Sequence, residues 1–302
     1  MDKLSSLASV SATRDVLKRH GLYTKHELGQ NFLINDDIVR KIVDLAELSS
    51  DDYVLEVGPG IGTLTEALLK SSKRVVAIER DYDLPAVLAQ TLAPWKDSFA
   101  LVNKDALDMQ QEDLAASDGS LPSKFVSNLP YAVAATVVLD VFERIDCIQS
   151  ATIMVQKEVA DRMCADAGNK NYGAYTVKLG MYATPQGRFA VSPGNFFPPP
   201  HVESAVLRLD RHMPADAEGK PLTPALRAAT CTMADAAFTN RRKTIANSCK
   251  AYFSSKNDAR TAALLGGIFE EAGIDARRRG ETLDQQEFIA LGAAYLRSIE
   301  NA

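Results

Sequence analysis

The sequence predicts an α/β protein: a doubly wound, mostly parallel sheet carrying an antiparallel strand, followed by a small all-helical C-terminal domain. Three observations predict it. Short apolar runs alternate with helix-length segments from about residue 50; these runs are strongly apolar throughout; and no strand-like run follows the Pro- and Ala-rich stretch that ends near residue 224. Such alternation implies βαβ units, and strands apolar on both faces belong in a sheet covered on both sides.

The elements follow in order. Residues 1–27 form an extension, in which MDKLSSLASVSATRDVLKRHG scatters its charges and has no apolar h-region, so it is not a secretory signal. A helix begins near Asp36, with Asn35 or Asp36 as its cap. Strands are predicted at YVLEV (53–57), RVVAIE (74–79), FALVNKD (99–105), KFVSN (124–128) and ATIMVQ (151–156), each followed by a stretch able to be helical. A helical region is expected from Lys157 through Tyr182. GRFAV (187–191) and VESAVLRL (202–209) lie too close together for a helical crossover, so at least one pairs antiparallel. The segment His212–Pro224 has the composition of a linker. Helical spacing then recurs at 225–238, at 258–272 with Gly273 as a stop, and at 284–299. Two domains are expected, 1–211 and 212–302.

A chain of 302 residues, 46% hydrophobic and 24% charged, can bury a substantial core. Its four cysteines are far apart and form no CxxC pair, which favours reduced thiols in a cytoplasmic protein and no metal. No apolar run approaches the roughly 20 residues of a membrane helix, so no membrane partner is expected. A net charge of −5 speaks against nucleic acid, but its distribution does not: residues 211–302 hold 13 Lys and Arg against 11 Asp and Glu, and the remainder 21 against 28. A positive groove can exist on an acidic protein.

The first candidate site is EVGPGIGTLTEALL (56–69), which sets Gly58, Gly60 and Gly62 between a strand and a helix. Glycines there allow a sharp turn and a close approach to a ligand, and the helix N-terminus offers unpaired N–H groups. The dinucleotide fingerprint wants glycine where Thr63 stands, and G-x-G-x-G is more usual for S-adenosylmethionine. Glu79 at the next strand end suits two ribose hydroxyls, and Asp105 at the third strand end suits an adenine amino group. Each acid alone is more often a solvated charge. Three successive strand ends carrying Gly, Glu and Asp favour a nucleoside cofactor.

Asn128-Leu129-Pro130-Tyr131 closes the fourth strand. An exocyclic adenine amine is a poor nucleophile because its lone pair is delocalised. The Asn128 side-chain oxygen and the Leu129 carbonyl are two acceptors for its hydrogens, which would aim the lone pair at a methyl donor without a strong base. Pro130 stiffens the bend, and Tyr131 offers a stacking face for an extruded base. Without the glycine motif upstream, a rigid turn with a core tyrosine would be the better reading.

These motifs make the chain resemble the ribosomal RNA adenine dimethyltransferase family, bacterial small-subunit branch, from about Thr13 to Leu296. LGQNFL (28–33), LEVGPGIGTLT (55–65), AIERD (77–81), NKDAL (103–107), NLPY (128–131), VQKEVADRM (155–163), NFFPPPHVESAVLRL (195–209) and FTNRRKTIANSC (238–249) carry the resemblance. It implies a Rossmann-like S-adenosylmethionine-dependent methyltransferase domain and a helical rRNA-binding domain. The implied activity is dimethylation of N6 on each of two adjacent adenosines in the last hairpin of small-subunit rRNA, within an immature subunit, by a monomer. It also implies that Asn31 and Leu33 join Gly58, Gly60, Glu79, Asp105 and Asn128 in the cofactor pocket, and that Phe196 sandwiches the base against Tyr131. Arg241-Arg242-Lys243 and Arg277-Arg278-Arg279, which alone could equally be solvated faces, become candidate rRNA contacts. Thr239-Asn240 and Gly280 depart from the family pattern and touch only RNA contact. The competing functions are a large-subunit adenine methylase, an assembly factor that binds without turnover, and a nicotinamide oxidoreductase, against which Thr63 and NLPY both speak.

Overall fold

The structure is a computed structural model that describes residues 3–25 and 29–300. Leu28, the first residue of LGQNFL, lies outside the described residues, as does the end of the predicted extension at 26–27. The chain divides into two compact units, Met1–Ala160 with Pro185–Arg211, and Asp161–Thr184 with His212–Ala302. The expected division kept residues 161–184 with the sheet. They pack instead among the C-terminal helices, because Tyr172 and Val177 are buried in the same apolar cluster as Phe253, Phe269 and Phe288.

The first unit runs α1 (Val10–Arg19), β1 (Phe32–Leu33), α2 (Asp36–Ala46), β2 (Tyr53–Val57), α3 (Thr63–Ser71), β3 (Arg74–Glu79), α4 (Leu84–Thr91), β4 (Phe99–Asn103), β5 (Lys124–Asn128), α5 (Ala134–Arg144) and β6 (Ser150–Gln156). It leaves through α6 (Lys157–Met163) and returns through β7 (Ala183–Val191), both of which straddle the division, and ends in β8 (Phe196–Phe197) and β9 (Ser204–Arg211). Among the described residues the main sheet has seven strands in the order β4-β3-β2-β5-β6-β9-β7. Every position of β2 is buried and all but the first of β3, as central parallel strands require. β9 pairs antiparallel with β6. β7 is the edge strand, with Pro185 and a mostly exposed run at its start.

The order of strands reverses between β2 and β5. Their ladder holds only Val54↔Lys124 and Leu55↔Phe125. Beyond it the Ser127 hydroxyl takes over, donating to the Val57 carbonyl and accepting the Val57 N–H at 3.3 Å. The two strands therefore part at their carboxyl ends, which is where a ligand crevice belongs in an open α/β sheet.

Three local features differ from the sequence expectation. The strand drawn to Asp105 stops at Asn103, and the region drawn as helical from Lys157 to Tyr182 is α6 and a second short helix separated by a loop. The unpredicted β1 pairs antiparallel with the equally short β8, Phe32↔Phe197 and Leu33↔Phe196. The N-terminal extension is built into the fold. Ser5 Oγ, Ser6 Oγ and the Ser6 N–H all donate to Glu66 Oε2 at 2.8–3.0 Å, and Val16 and Leu17 of α1 are buried in the core. Asn35 caps α2, its oxygen accepting the Asp37 N–H at 2.9 Å.

The second unit holds α7 (Ala174–Leu179), α8 (Pro224–Phe238), α9 (Ile245–Ser255), α10 (Ala259–Glu271) and α11 (Gln285–Glu300). Thr223, Thr244 and Asp258 cap α8, α9 and α10. α9 was not anticipated, although Ile245, Cys249 and Phe253 lie on one buried stripe. Gly273 does stop α10: at φ +69° it lets the Ile274 N–H return to the Phe269 carbonyl at 2.9 Å. At Gly292 a Cβ would stand 2.7 Å from the Thr230 backbone, so glycine is what lets α11 lie against α8. The expected linker 212–224 is ordered, with Ala215 bridging Pro221 and Leu222 buried. No helix among the described residues is long and apolar enough to cross a membrane.

Candidate active site

The parted ends of β2 and β5 open into a cavity lined by the turn after β2, the ends of β3 and β5, the loop after β4 and the residues just before and within β1. The turn after β2 works because its three glycines hold positive φ, +70° at Gly58, +58° at Gly60 and +93° at Gly62. A Cβ on Gly58 would sit 3.5 Å from the Pro130 ring, and one on Gly60 would sit 3.0 Å from the Phe32 ring. The turn is thus clamped between NLPY and β1, and the Gly58 N–H still donates to the Ile78 carbonyl at 2.9 Å.

Glu79 closes β3 and is 7% exposed. Its Oε1 accepts the Asp81 N–H at 2.7 Å. Burial raises its carboxyl above the usual range, against hydrogen bonds from the backbone of Asp81, Arg80 and Gly60. Asp105 lies two residues past β4. Its Oδ1 accepts the Leu107 N–H at 3.0 Å, and its Oδ2 meets Arg80 at 3.1 Å on the exposed side.

Asn128 ends β5. Its Nδ2 donates to the Asn31 carbonyl at 3.1 Å, which fixes the amide and leaves Oδ1 as the group able to accept. The Leu129 N–H is held by the Met154 carbonyl at 3.1 Å. Tyr131 is half-buried, with its hydroxyl 2.5 Å from Ser204 Oγ; burial raises its pKa, opposed by that contact. Asn31 donates to the Gly29 carbonyl at 3.0 Å.

The cavity brings together Asn31, Leu33, Gly58, Gly60, Glu79, Asp105, Asn128, Leu129, Pro130 and Tyr131, though Asp105 follows its strand instead of ending it. Phe196 is not among the lining residues. It is 2% exposed, paired with Leu33 across the β1–β8 ladder and packed in the core, so in this structure it presents no face to a base. Its apolar bulk is spent on joining the two short strands.

Sequence reading missed Glu56. It is 1% exposed, lines the cavity and has an Oε2 without a hydrogen-bond partner among the described residues. Burial lifts its carboxyl to about 8, opposed by the neighbouring Thr65 hydroxyl and reinforced by Glu79. Thr63, the residue that spoils the dinucleotide fingerprint, also lines the cavity, with a hydroxyl that has no hydrogen-bond partner among the described residues. A charged residue in the middle of the otherwise apolar YVLEV was the available signal.

The six candidate basic residues lie in the second unit. The two runs meet where the Ile245 N–H, opening α9, donates to the Arg278 carbonyl at 2.7 Å. Arg241 pairs with Glu281 at 2.9 Å, Arg277 with Asp275 at 3.0 Å, and Arg278 with both oxygens of Glu287. Arg242, Lys243 and Arg279 are exposed, and their side chains have no hydrogen bond or ion pair among the described residues.

Comparison with known proteins agrees with this geometry. The chain is 36% identical over 289 residues to a protein named ribosomal RNA small subunit methyltransferase A from Lachnoclostridium phytofermentans, covering 95% of this chain and 97% of that one. It is 38% identical to the like-named protein of Corynebacterium diphtheriae, over 88% of this chain and 87% of the relative. The fold matches a dimethyladenosine transferase from Plasmodium falciparum with a TM-score of 0.70 at 23% identity, covering 86% of this chain and 95% of that one. The 23S rRNA methyltransferase ErmE matches with a TM-score of 0.61 at 25% identity, over 87% and 99%. The profile of the family described as ribosomal RNA adenine dimethylase matches residues 21–291. With that match spanning nearly the whole chain, and NLPY set against the glycine turn in one cavity, the chain belongs to the ribosomal RNA adenine dimethylase family and is an rRNA adenine methyltransferase.

Proposed function

We propose that the chain transfers methyl groups from S-adenosylmethionine to N6 of two adjacent adenosines in the 3′-terminal hairpin of small-subunit rRNA, late in subunit assembly, as a cytoplasmic monomer. The observation that carries this is the single cavity in which Glu79, Asp105 and the NLPY turn face the Gly58–Gly60 backbone. The residues fit the donor: Glu79 and Asp105 line the cavity with carboxylates able to accept from ribose hydroxyls and an adenine amine, and Glu56 Oε2 and Thr63 Oγ1 are buried polar atoms with no hydrogen-bond partner among the described residues. When bound, that donor supplies an electrophilic methyl group on a sulfonium.

The chain's own residues then handle the amine. Asn128 Oδ1 is free to accept because Nδ2 is committed to Asn31, and the Leu129 carbonyl supplies the second acceptor. Two acceptors hold both amine hydrogens and expose the lone pair, so no base is required before transfer. The Tyr131 ring offers the stacking face while Ser204 holds its hydroxyl. Stacking rests on Tyr131 alone here, since Phe196 is covered. In the helical unit Arg242, Lys243 and Arg279 are the cations best placed to meet rRNA phosphates, and Arg241, Arg277 and Arg278 must first loosen a carboxylate.

The test is transfer of labelled methyl groups to small subunits lacking the mark, with mass mapping of the modified adenosines. Asn128→Ala is expected to lower kcat by roughly 100-fold or more, the usual loss for one transition-state hydrogen bond. A folded Asn128→Ala protein with full activity would remove the mechanism, and labelling of naked large-subunit rRNA instead would move the substrate to the other subunit.

A further inference from the structure

Asp81 does not line the cavity, yet its polar groups tie together two of the cavity's walls. It is 6% exposed. Its Oδ1 accepts from Lys25 Nζ at 2.7 Å and from the Asp83 N–H at 3.1 Å, and its Oδ2 accepts from Gln30 Nε2 at 2.8 Å. Gln30 in turn accepts the Lys25 N–H at 3.0 Å through Oε1. Lys25 and Gln30 belong to the chain that enters β1, and Gln30, Asn31, Phe32 and Leu33 line the cavity. On its other side the Asp81 N–H holds Glu79 Oε1 at 2.7 Å.

One residue therefore sets the orientation of the carboxylate at the end of β3 and the position of the segment facing it. The first effect comes through the backbone N–H; the second needs the negative charge of the carboxylate. A buried carboxylate with three donors is a strong, charge-assisted node. An amide at the same place would keep one acceptor and turn an N–H toward either Lys25 or Gln30, both donors.

We propose that Asp81 is a positioning residue for the cofactor: with Lys25 it fixes Gln30, in the cavity wall just before β1, and through its backbone it fixes Glu79. This rests on reading the cavity as the S-adenosylmethionine site. Asp81 acts on how tightly and how long that molecule is held, and leaves the chemistry at Asn128 alone.

The experiment measures S-adenosylmethionine and S-adenosylhomocysteine binding to the full chain by calorimetry and stopped flow. Asp81→Asn is expected to raise Kd by roughly tenfold, the worth of a charge-assisted hydrogen bond, chiefly through faster dissociation. The KM for S-adenosylmethionine should rise with it while kcat at saturating donor holds. Gln30→Glu alone sets two carboxylates against each other and should also weaken binding. Combined, Asp81→Asn and Gln30→Glu restore an N–H donor facing an oxygen with the polarity reversed, and affinity should recover toward that of the wild type. A merely structural loss would not recover in the pair. If Asp81→Asn does not fold, Lys25→Met, which leaves Gln30 and Asp83 on the carboxylate, should still speed dissociation by roughly threefold. Unchanged Kd and dissociation in Asp81→Asn, or in Lys25→Met where that is the variant available, or a double variant no better than the single, overturns the proposal. A wild type that binds neither ligand overturns the reading of the cavity itself, and this inference with it.

Discussion

Replacing Glu56 by Gln should make the protein more stable, and by an amount that depends on pH. The Glu56 carboxyl is fully buried and lifted from 4.5 to about 8. Between those values the folded chain keeps a proton that the unfolded chain has lost, so wild-type stability falls as pH rises through the window. Each pH unit is worth about 1.4 kcal/mol. The penalty is therefore near zero at pH 4.5, roughly 3 kcal/mol at pH 7 and about 5 kcal/mol above pH 8. Glutamine has the same shape and no proton to lose, so the difference between variant and wild type should grow along that curve. Urea unfolding at pH 5 to 9 measures it, followed by the fluorescence of the single tryptophan, Trp95, which packs on the core of the first unit where Glu56 also lies. A difference that stays flat across this range, or shrinks toward high pH, would refute the assignment of Glu56 as a protonated group in the cavity.

Two further outcomes test the glycine turn and the basic surface. Gly60→Ala puts a side chain into the left-handed region at φ +58° and against the Phe32 ring, so it should cost roughly 2–4 kcal/mol in unfolding of the first unit; a loss under about 0.5 kcal/mol would contradict the packing. Removing Arg242 and Lys243 together should weaken binding to small subunits and flatten the slope of log affinity against log salt by roughly 1.5, with no change in melting. Arg278→Ala should instead cost about 1 kcal/mol of stability in the helical unit, because its half-exposed pair with Glu287 is structural. Binding titrations across salt, with thermal unfolding in parallel, distinguish the two.

The sequence carried the parallel strands β2, β3, β5 and β6 because each is a run buried on both faces, a signal that needs no partner to be seen; β4, at the edge, is only half-buried and showed by its place in the alternation. It carried the strand-end residues for the same reason: Gly58 follows its strand directly, Glu79 and Asn128 end theirs, and the fold delivers strand ends to one place. What it hid was pairing and context. β1 and β8 are two residues each, too short to show a period, and Phe196 looked like a base-stacking ring because its partner Leu33 is distant in sequence. α9 was obscured by the basic run before it. The Arg241 and Arg278 side chains looked free because Glu281 and Glu287 become their neighbours only in the folded helical unit. Residues 161–184 have nothing local to say which of two cores will take them.

That last segment and the β1–β8 ladder together set an order of events during synthesis. The ladder that seats Phe32 beside Gly60 is complete only once Phe197 has been made, and the chain between them includes residues 161–184, whose helical companions begin only at Pro224. Non-local pairings of this kind form late. A nascent chain leaving the ribosome therefore carries the glycine turn and NLPY long before it carries a finished cavity, and must keep the apolar surface of Tyr172 and Val177 waiting for its core.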